Sequence, residues 1–387
     1  MSGFRKYLDF TAAETLQNRL DAAGNRPSGF DYMRLFLALA VIGYHSIVTS
    51  YGDAMQMSFV TSPWRAVILM VVPMFFCLSG FLVAGSLERS STLMRFLGMR
   101  TLRIVPALAC EVVLSALILG PLLTAVSFET YYSSPEFFSY FGNLVGNMHY
   151  RLPGVFSGNP LPHVINGQLW TVPYELGCYL ALAGLYMLGI FKNRRWLLAG
   201  MALLLLHQVY ATFFVGGRHA GLMFGSYDLI KYFLAGLTFY KFRDKIPYTP
   251  VLFFTALIVS MLLLLDPDAQ RITFLPIAYV TVYLGLLDPP RSKIALSGDY
   301  SYGLFLYGFV IQQTVASFGP AFQHWYVNLL IAVPVTCVVA AGSWRLIEKP
   351  ALGLRRYMNS PEDWYIRRKQ NMWSRLPGRL SAHKADS

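Results

Sequence analysis

Charge is scarce in this chain. Charged residues make up 13% of its 387 residues, against 55% hydrophobic ones. That balance excludes a soluble protein carrying an ordinary charged surface. Acidic residues are fewer still, 20 against 32 Lys and Arg. Cysteine is rare as well. The four cysteines, Cys77, Cys110, Cys178 and Cys337, each fall in an apolar stretch and show no zinc spacing. A zinc site is therefore excluded, no other metal site is expected, and the thiols read as small packing residues. A cleavable signal peptide is not expected, because residues 1–29 are mixed polar and lead straight into an apolar run. Internal repeats, the mark of many transporters, are missing too.

What is present is apolar length. Runs of membrane-spanning length recur at roughly 30–50, 66–87, 104–126, 168–190, 196–214, 226–242, 248–265, 271–288, 300–319 and 325–345. The expectation is an all-α integral membrane protein, a polytopic bundle of about ten transmembrane helices. Lys and Arg crowd into alternate connections, while the intervening ones hold only Arg65, Arg151, Arg218 and Arg271. By the positive-inside rule both termini are expected in the cytoplasm. Three regions follow: a cytoplasmic segment 1–29, a membrane domain 30–352 and a basic cytoplasmic tail 353–387. Leu8, Leu16 and Leu20 predict a short interfacial helix, and the tail's Trp364, Tyr365 and Trp373 among arginines suit an anionic leaflet. The net charge of +12 thus points to membrane lipids as a partner and not to nucleic acid.

One pair of side chains in the first run needs a reason. Arg34 and His45 are separated by apolar residues apart from Tyr44. Their spacing is about three helical turns, which puts them on one face about 16 Å apart. Ionisable groups in a bilayer usually face a cavity or a partner. The third run opens MRFLGMRTLRIVPAL, with Arg100 and Arg103 at i, i+3, Arg95 upstream, and Pro106 suited to a first helical turn. Arginine forks match phosphate geometry, so Arg34, Arg100, Arg103 and Arg95 read either as a phosphate site or as snorkelling anchors. The fourth run, GQLWTVPYELGCYLAL, supplies Glu175 after Pro173. A carboxylate there reads either as the partner that orients a general-base imidazole at His45 or as an arginine's counter-charge.

Other polar residues carry less. Glu111 lies on the face of Arg100 and can balance the arginines, His207 reads as a helix contact, and Asp228 and Lys231 form an i, i+3 pair. The long connection 127–167 gathers Tyr131, Tyr132, Phe137, Phe138, Tyr140 and Phe141 with Asn143, Asn147 and His149. That mixture suits a carbohydrate face or an interfacial re-entrant helix.

Taken together, six ordered motifs resemble the acyltransferase-3 family of bacterial integral-membrane O-acyltransferases. They are Arg34-x10-His45, PMFFCLSGFLVAGSL at 73–87, Arg100-x-x-Arg103, LWTVPYELGCYL at 169–180, SYGLFLYGFVIQQ at 301–313 and WRLIEKPAL at 344–352. The fourth and fifth look most like those of members that decorate exopolysaccharides. The chain departs from the pattern at Gly308, where many members carry histidine, and lacks the hydrolase-like domain fused to some.

The resemblance implies transfer of an acyl group, most often acetyl, from acyl-CoA to a hydroxyl of an exopolysaccharide or a lipid-linked saccharide. The setting would be the bacterial inner membrane, with acetyl-CoA as donor substrate and no permanently bound cofactor. Arg34, Arg100, Arg103 and Arg95 would hold CoA phosphates, His45 would be the general base and Glu175 its orienting partner. No Ser or Cys nucleophile pairs visibly with a base, which favours direct transfer. Ser79, Tyr174 and Trp170 are candidates to stabilise the oxyanion or orient the substrate. A transporter or flippase for a polysaccharide precursor, or a scaffold subunit, would fit the apolar spans without any chemistry.

Overall fold

The computed structural model describes residues 14–90, 92–215, 225, 228–293, 297–357 and 368. Leu8, Arg218, Trp364, Tyr365 and Trp373 lie outside them. The described chain is all α. Five of its helices are long and apolar enough to cross a membrane: Gly29–Tyr51, Arg65–Arg89, Leu93–Leu123, Arg194–Phe214 and Trp325–Tyr357. The protein therefore has the makings of a multi-pass membrane protein, but not the ten spans expected. Five of the expected runs form only short helices, Val172–Met187, Asp228–Lys241, Pro250–Leu265, Phe274–Gly285 and Ser301–Ala316, of 12 to 16 residues. At 1.5 Å per residue these reach about 18–24 Å, short of a hydrocarbon core of about 30 Å. Local chemistry clips two of them. Pro173 and Pro250 sit in the first turn of their helices, where a missing N–H costs least. The expectation that both termini are cytoplasmic falls with the ten-span count, since the five helices place neither end.

We label the helices that shape the site: α1 Leu16–Ala22, α2 Gly29–Tyr51, α3 Asp53–Val60, α4 Arg65–Arg89, α5 Leu93–Leu114, α6 Val172–Met187, α7 Arg194–Tyr210, α8 Asp228–Lys241, α9 Pro250–Leu265, α10 Phe274–Gly285, α11 Ser301–Ala316 and α12 Trp325–Ser343. Thr92 caps α5 by accepting from the Arg95 N–H at 3.3 Å. The helix thus begins well before the expected run, and Pro106 lies in its interior rather than its first turn. Both α5 and α12 pass into wide π-turns, at Ser115–Leu119 and Trp344–Glu348. Helix α1 docks by its backbone, Leu16 N–H to Ile246 O at 3.0 Å, with Leu16 and Leu20 buried against the protein. Helix α7 is the opposite case, with Leu198, Leu203 and Leu206 exposed, a surface suited to lipid.

Small residues bring the central helices together, as close helix packing requires. A Cβ on Gly80 of α4 would run into the Phe233 carbonyl of α8, and one on Gly236 into that of Cys77. Gly303 of α11 meets Ala340 of α12, and Gly308 meets Ile42 of α2, with 2.8 Å to Cγ1 for an added Cβ. The position where relatives of the resembled family often carry histidine is here a contact between α11 and α2.

The connection between α5 and α6 folds onto the helices. Tyr131 and Tyr140 are fully buried and Phe137 nearly so, and the Tyr131 hydroxyl donates to Ala116 O at 2.8 Å. These aromatics are core, not an open carbohydrate face. Amide side chains pin the rest of the connection. Asn166 donates to Leu306 O at 2.7 Å and to Glu111 at 2.9 Å. Gln313 donates to Leu161 O at 2.8 Å and Val164 O at 2.7 Å. Residues 167–171 are thereby delivered to the bundle interior.

Candidate active site

A cavity of about 640 Å³ runs beside α2. Its lining includes Arg34, Arg100 and Arg103 at one end, His45 midway, and Asp53, Gln56 and Trp64 at the other. Along α2 the lining runs from Arg34 to Val48, a rise of about 21 Å, so the cavity follows most of the length of that helix. Glu175, Ser79 and Trp170 also line it. Arg95 and Tyr174 do not. Arg95 lies further up α5, and the Tyr174 ring sits 6.2 Å from that of Trp170.

The arginine end is built from charge. Asp299, just before α11, takes Arg34 at 3.0 Å and Arg103 at 2.5 Å on the same carboxylate oxygen. Arg34 also pairs with Asp31 at 3.0 Å, and Arg103 approaches Glu348 at 4.0 Å. The Ser301 hydroxyl donates to Asp299 at 2.8 Å. Burial acts to raise the Asp299 carboxyl, but Arg103 and Arg34 outweigh it and hold the group below its ordinary value. Arg100 differs. It donates to the Ser86 hydroxyl at 2.8 Å and lies over Phe96 and Tyr179 at 5.8 and 5.9 Å. Among the described residues it has no carboxylate within ion-pair distance. A second cavity of about 720 Å³ shares Arg34 and Arg103 and adds Arg26, Arg89 and Arg291.

His45 is placed by apolar packing. Its ring meets the Phe309 edge at 5.0 Å and Tyr44 at 5.4 Å. Nδ1 is enclosed without a hydrogen-bond partner, which leaves Nε2 as the nitrogen open to the cavity. Glu175 accepts a hydrogen bond from the Tyr179 hydroxyl one turn along α6. In this structure Glu175 is neither hydrogen-bonded to His45 nor ion-paired to an arginine, though all of these groups face one cavity. The arrangement can hold an anion at one end and take a proton from a hydroxyl at mid-length.

Sequence reasoning missed Asp299 and Glu348. Both were within sight: Asp299 lies two residues before SYGLFLYGFVIQQ, and Glu348 lies inside WRLIEKPAL. The available signal was the arginines themselves, since half-buried guanidinium groups require counter-charges.

Residues 28–348 match the family described as Acyl_transf_3, Acyltransferase domain. "Nodulation protein 10" of Rhizobium leguminosarum bv. viciae is 30% identical over 372 residues, spanning 86% of this chain and 95% of its own length. The "O-acetyl transferase" of Shigella phage Sf6 is 26% identical over 334 residues, spanning 83% of this chain and 94% of its own. No solved structure matches.

Proposed function

This chain belongs to the Acyl_transf_3 family, and from that premise we propose that it is a membrane O-acyltransferase of the bacterial inner membrane. It moves an acyl group, acetyl in the simplest case, from acyl-CoA to a hydroxyl of an exopolysaccharide or another envelope carbohydrate. The observation that carries this reading is the continuous cavity with arginines at one end and His45 at mid-length. The phosphates of CoA bind at the arginine end, where the second cavity gives the nucleotide room beside Arg26, Arg89 and Arg291. The pantetheine arm is comparable in length to the Arg34–His45 rise of about 16 Å and carries the thioester to the imidazole.

The acceptor enters from the opposite end. His45 takes the hydroxyl proton as the oxygen attacks the thioester carbonyl. The tetrahedral intermediate carries its charge on the former carbonyl oxygen, where Ser79 can donate a hydrogen bond. The C–S bond then breaks, the ester leaves on the acceptor, and the imidazolium returns its proton to the CoA thiolate. Glu175, which faces the same cavity without touching His45, favours the charged imidazolium through its charge across that space.

The test uses purified protein, acetyl-CoA labelled in the acetyl group, and alkali-de-esterified polysaccharide from the source strain. Wild type should transfer label to the polysaccharide. His45→Ala should lose about 10²–10⁴-fold in rate while still binding CoA. Full transfer by His45→Ala, or label accumulating on the protein without acceptor, would overturn this mechanism.

A further inference from the structure

Gln168 stands apart among the polar side chains of the described residues. It is 2% exposed and lines the cavity. Neither its Oε1 nor its Nε2 has a hydrogen-bond partner. Asn166, Gln312 and Asn328 each leave one amide atom unpaired but bond through the other. Among the described residues Gln168 is the buried amide with both atoms unpaired. A buried donor or acceptor left unmet destabilises the fold, so such a side chain calls for a reason.

Its surroundings supply one. Gly167, the preceding residue, packs on Phe309, where an added Cβ would lie 3.0 Å from the ring. The same ring forms the wall of His45, 5.0 Å away. One aromatic ring therefore separates the turn that carries Gln168 from the imidazole. The Tyr44 hydroxyl, beside His45 and also on the cavity, is enclosed without a partner as well. Trp64, Gln56 and Asp53 also line the cavity, an aromatic face with polar neighbours at the end away from the arginines. This end holds none of the three arginines, so the unpaired amide belongs to the acceptor side.

We propose that Gln168 is an acceptor-binding residue whose amide grips the hydroxyl next to the one that is acylated. A sugar hydroxyl both donates and accepts, and the amide offers one atom for each. The acceptor is then a polyol with adjacent hydroxyls, as in a pyranose ring, and Gln168 selects which of the pair faces His45. This rests on the acyl-transfer reading and adds a prediction about regiochemistry.

The test compares wild type with Gln168→Leu and Gln168→Glu, as full-length protein, using acetyl-CoA and the alkali-de-esterified polysaccharide. Three readouts are taken: acceptor KM, acetyl position by NMR, and thermal unfolding with CoA affinity. Gln168→Leu should raise the acceptor KM about ten-fold, as expected for a lost hydrogen bond, and spread acetyl over more than one hydroxyl. Gln168→Glu keeps an accepting oxygen and should recover part of the loss. Leucine removes two unpaired polar atoms, so Tm should hold or rise, and CoA affinity should be that of wild type. Unchanged KM and acetyl position in Gln168→Leu would overturn the assignment. So would a loss of Tm and CoA affinity in step with transfer, which marks a structural amide. No transfer by wild type would instead remove the acyl-transfer reading beneath it.

Discussion

Arg100→Ala should weaken CoA binding more cleanly than the loss of either neighbouring arginine. Arg34 and Arg103 are each engaged by carboxylates, at 3.0 Å for Arg34 and 2.5 Å for the closer pair of Arg103. A phosphate arriving there competes with Asp31, Asp299 and Glu348. Arg100 offers its charge with a hydroxyl and two aromatic faces in contact and the Glu175 carboxylate within electrostatic reach, but with no carboxylate at ion-pair distance among the described residues. Removing a charge-assisted contact costs about 1.5–3 kcal/mol, roughly ten- to 150-fold in Kd. Because no direct ion pair is broken, Tm should move less than in Arg34→Ala. Arg34→Ala is different, since it strips charge from both Asp31 and Asp299. Breaking a buried pair costs about 3–5 kcal/mol. These side chains are about a quarter exposed, and screening brings the figure down to about 1–3 kcal/mol. Its signature is a lowered Tm. Calorimetric titration with CoA, alongside thermal unfolding of the same preparations, separates the two effects. Wild-type Kd in Arg100→Ala, or a Kd loss confined to Arg34→Ala with its Tm intact, would refute this division of labour.

Three further outcomes follow from the same geometry. Glu175→Gln keeps the hydrogen bond to Tyr179 but removes the charge, so acetyl transfer should fall less than in His45→Ala while CoA affinity holds; equal rates for Glu175→Gln and wild type would exclude its electrostatic role. Asp299 is held below its ordinary value in the folded protein, so its ion pairs are fully stabilising above about pH 4 and fade as pH falls through the lower folded value; Tm should drop more steeply below about pH 4 in wild type than in Asp299→Asn. Gly308→Ala places a methyl 2.8 Å from Ile42 Cγ1, and overpacking of this kind costs about 1–3 kcal/mol, readable as a lower Tm with transfer falling alongside because Ile42 lies one turn from His45.

Local spacing was the legible part of this protein. The Arg34–His45 interval alone puts both groups on one helical face, and the cavity follows that face. Gly167 to Glu175 read as a chemically loaded stretch, although Gln168 drew no attention, because an amide's unpaired state exists only after folding. The helix count was misread for a physical reason. Hydropathy windows sum apolar residues and do not register Pro173 or Pro250 restarting the helix. The aromatic connection left two readings open. Tyr131, Phe137 and Tyr140 could equally have faced a sugar, and only the packing against α5 decides for the core. Asp299 and Glu348 were in view as carboxylates beside or within quoted motifs, but which arginines they meet was not, since those lie hundreds of residues away in the chain.

The two ends of the cavity are held by different forces. At one end Asp299 fastens α2, α5 and α11 through ions that stay partly in contact with solvent, with the buried Glu348 behind Arg103. At the other, Gln313 and Asn166 fasten the connection before α6 mainly through amides bonded to backbone carbonyls. Added salt screens the first kind of fastening within about 8–10 Å and leaves the second untouched. A single cavity thus has one mouth tuned by ionic strength and another indifferent to it. Donor affinity can drift with the ionic medium while the register in which the acceptor is presented stays the same.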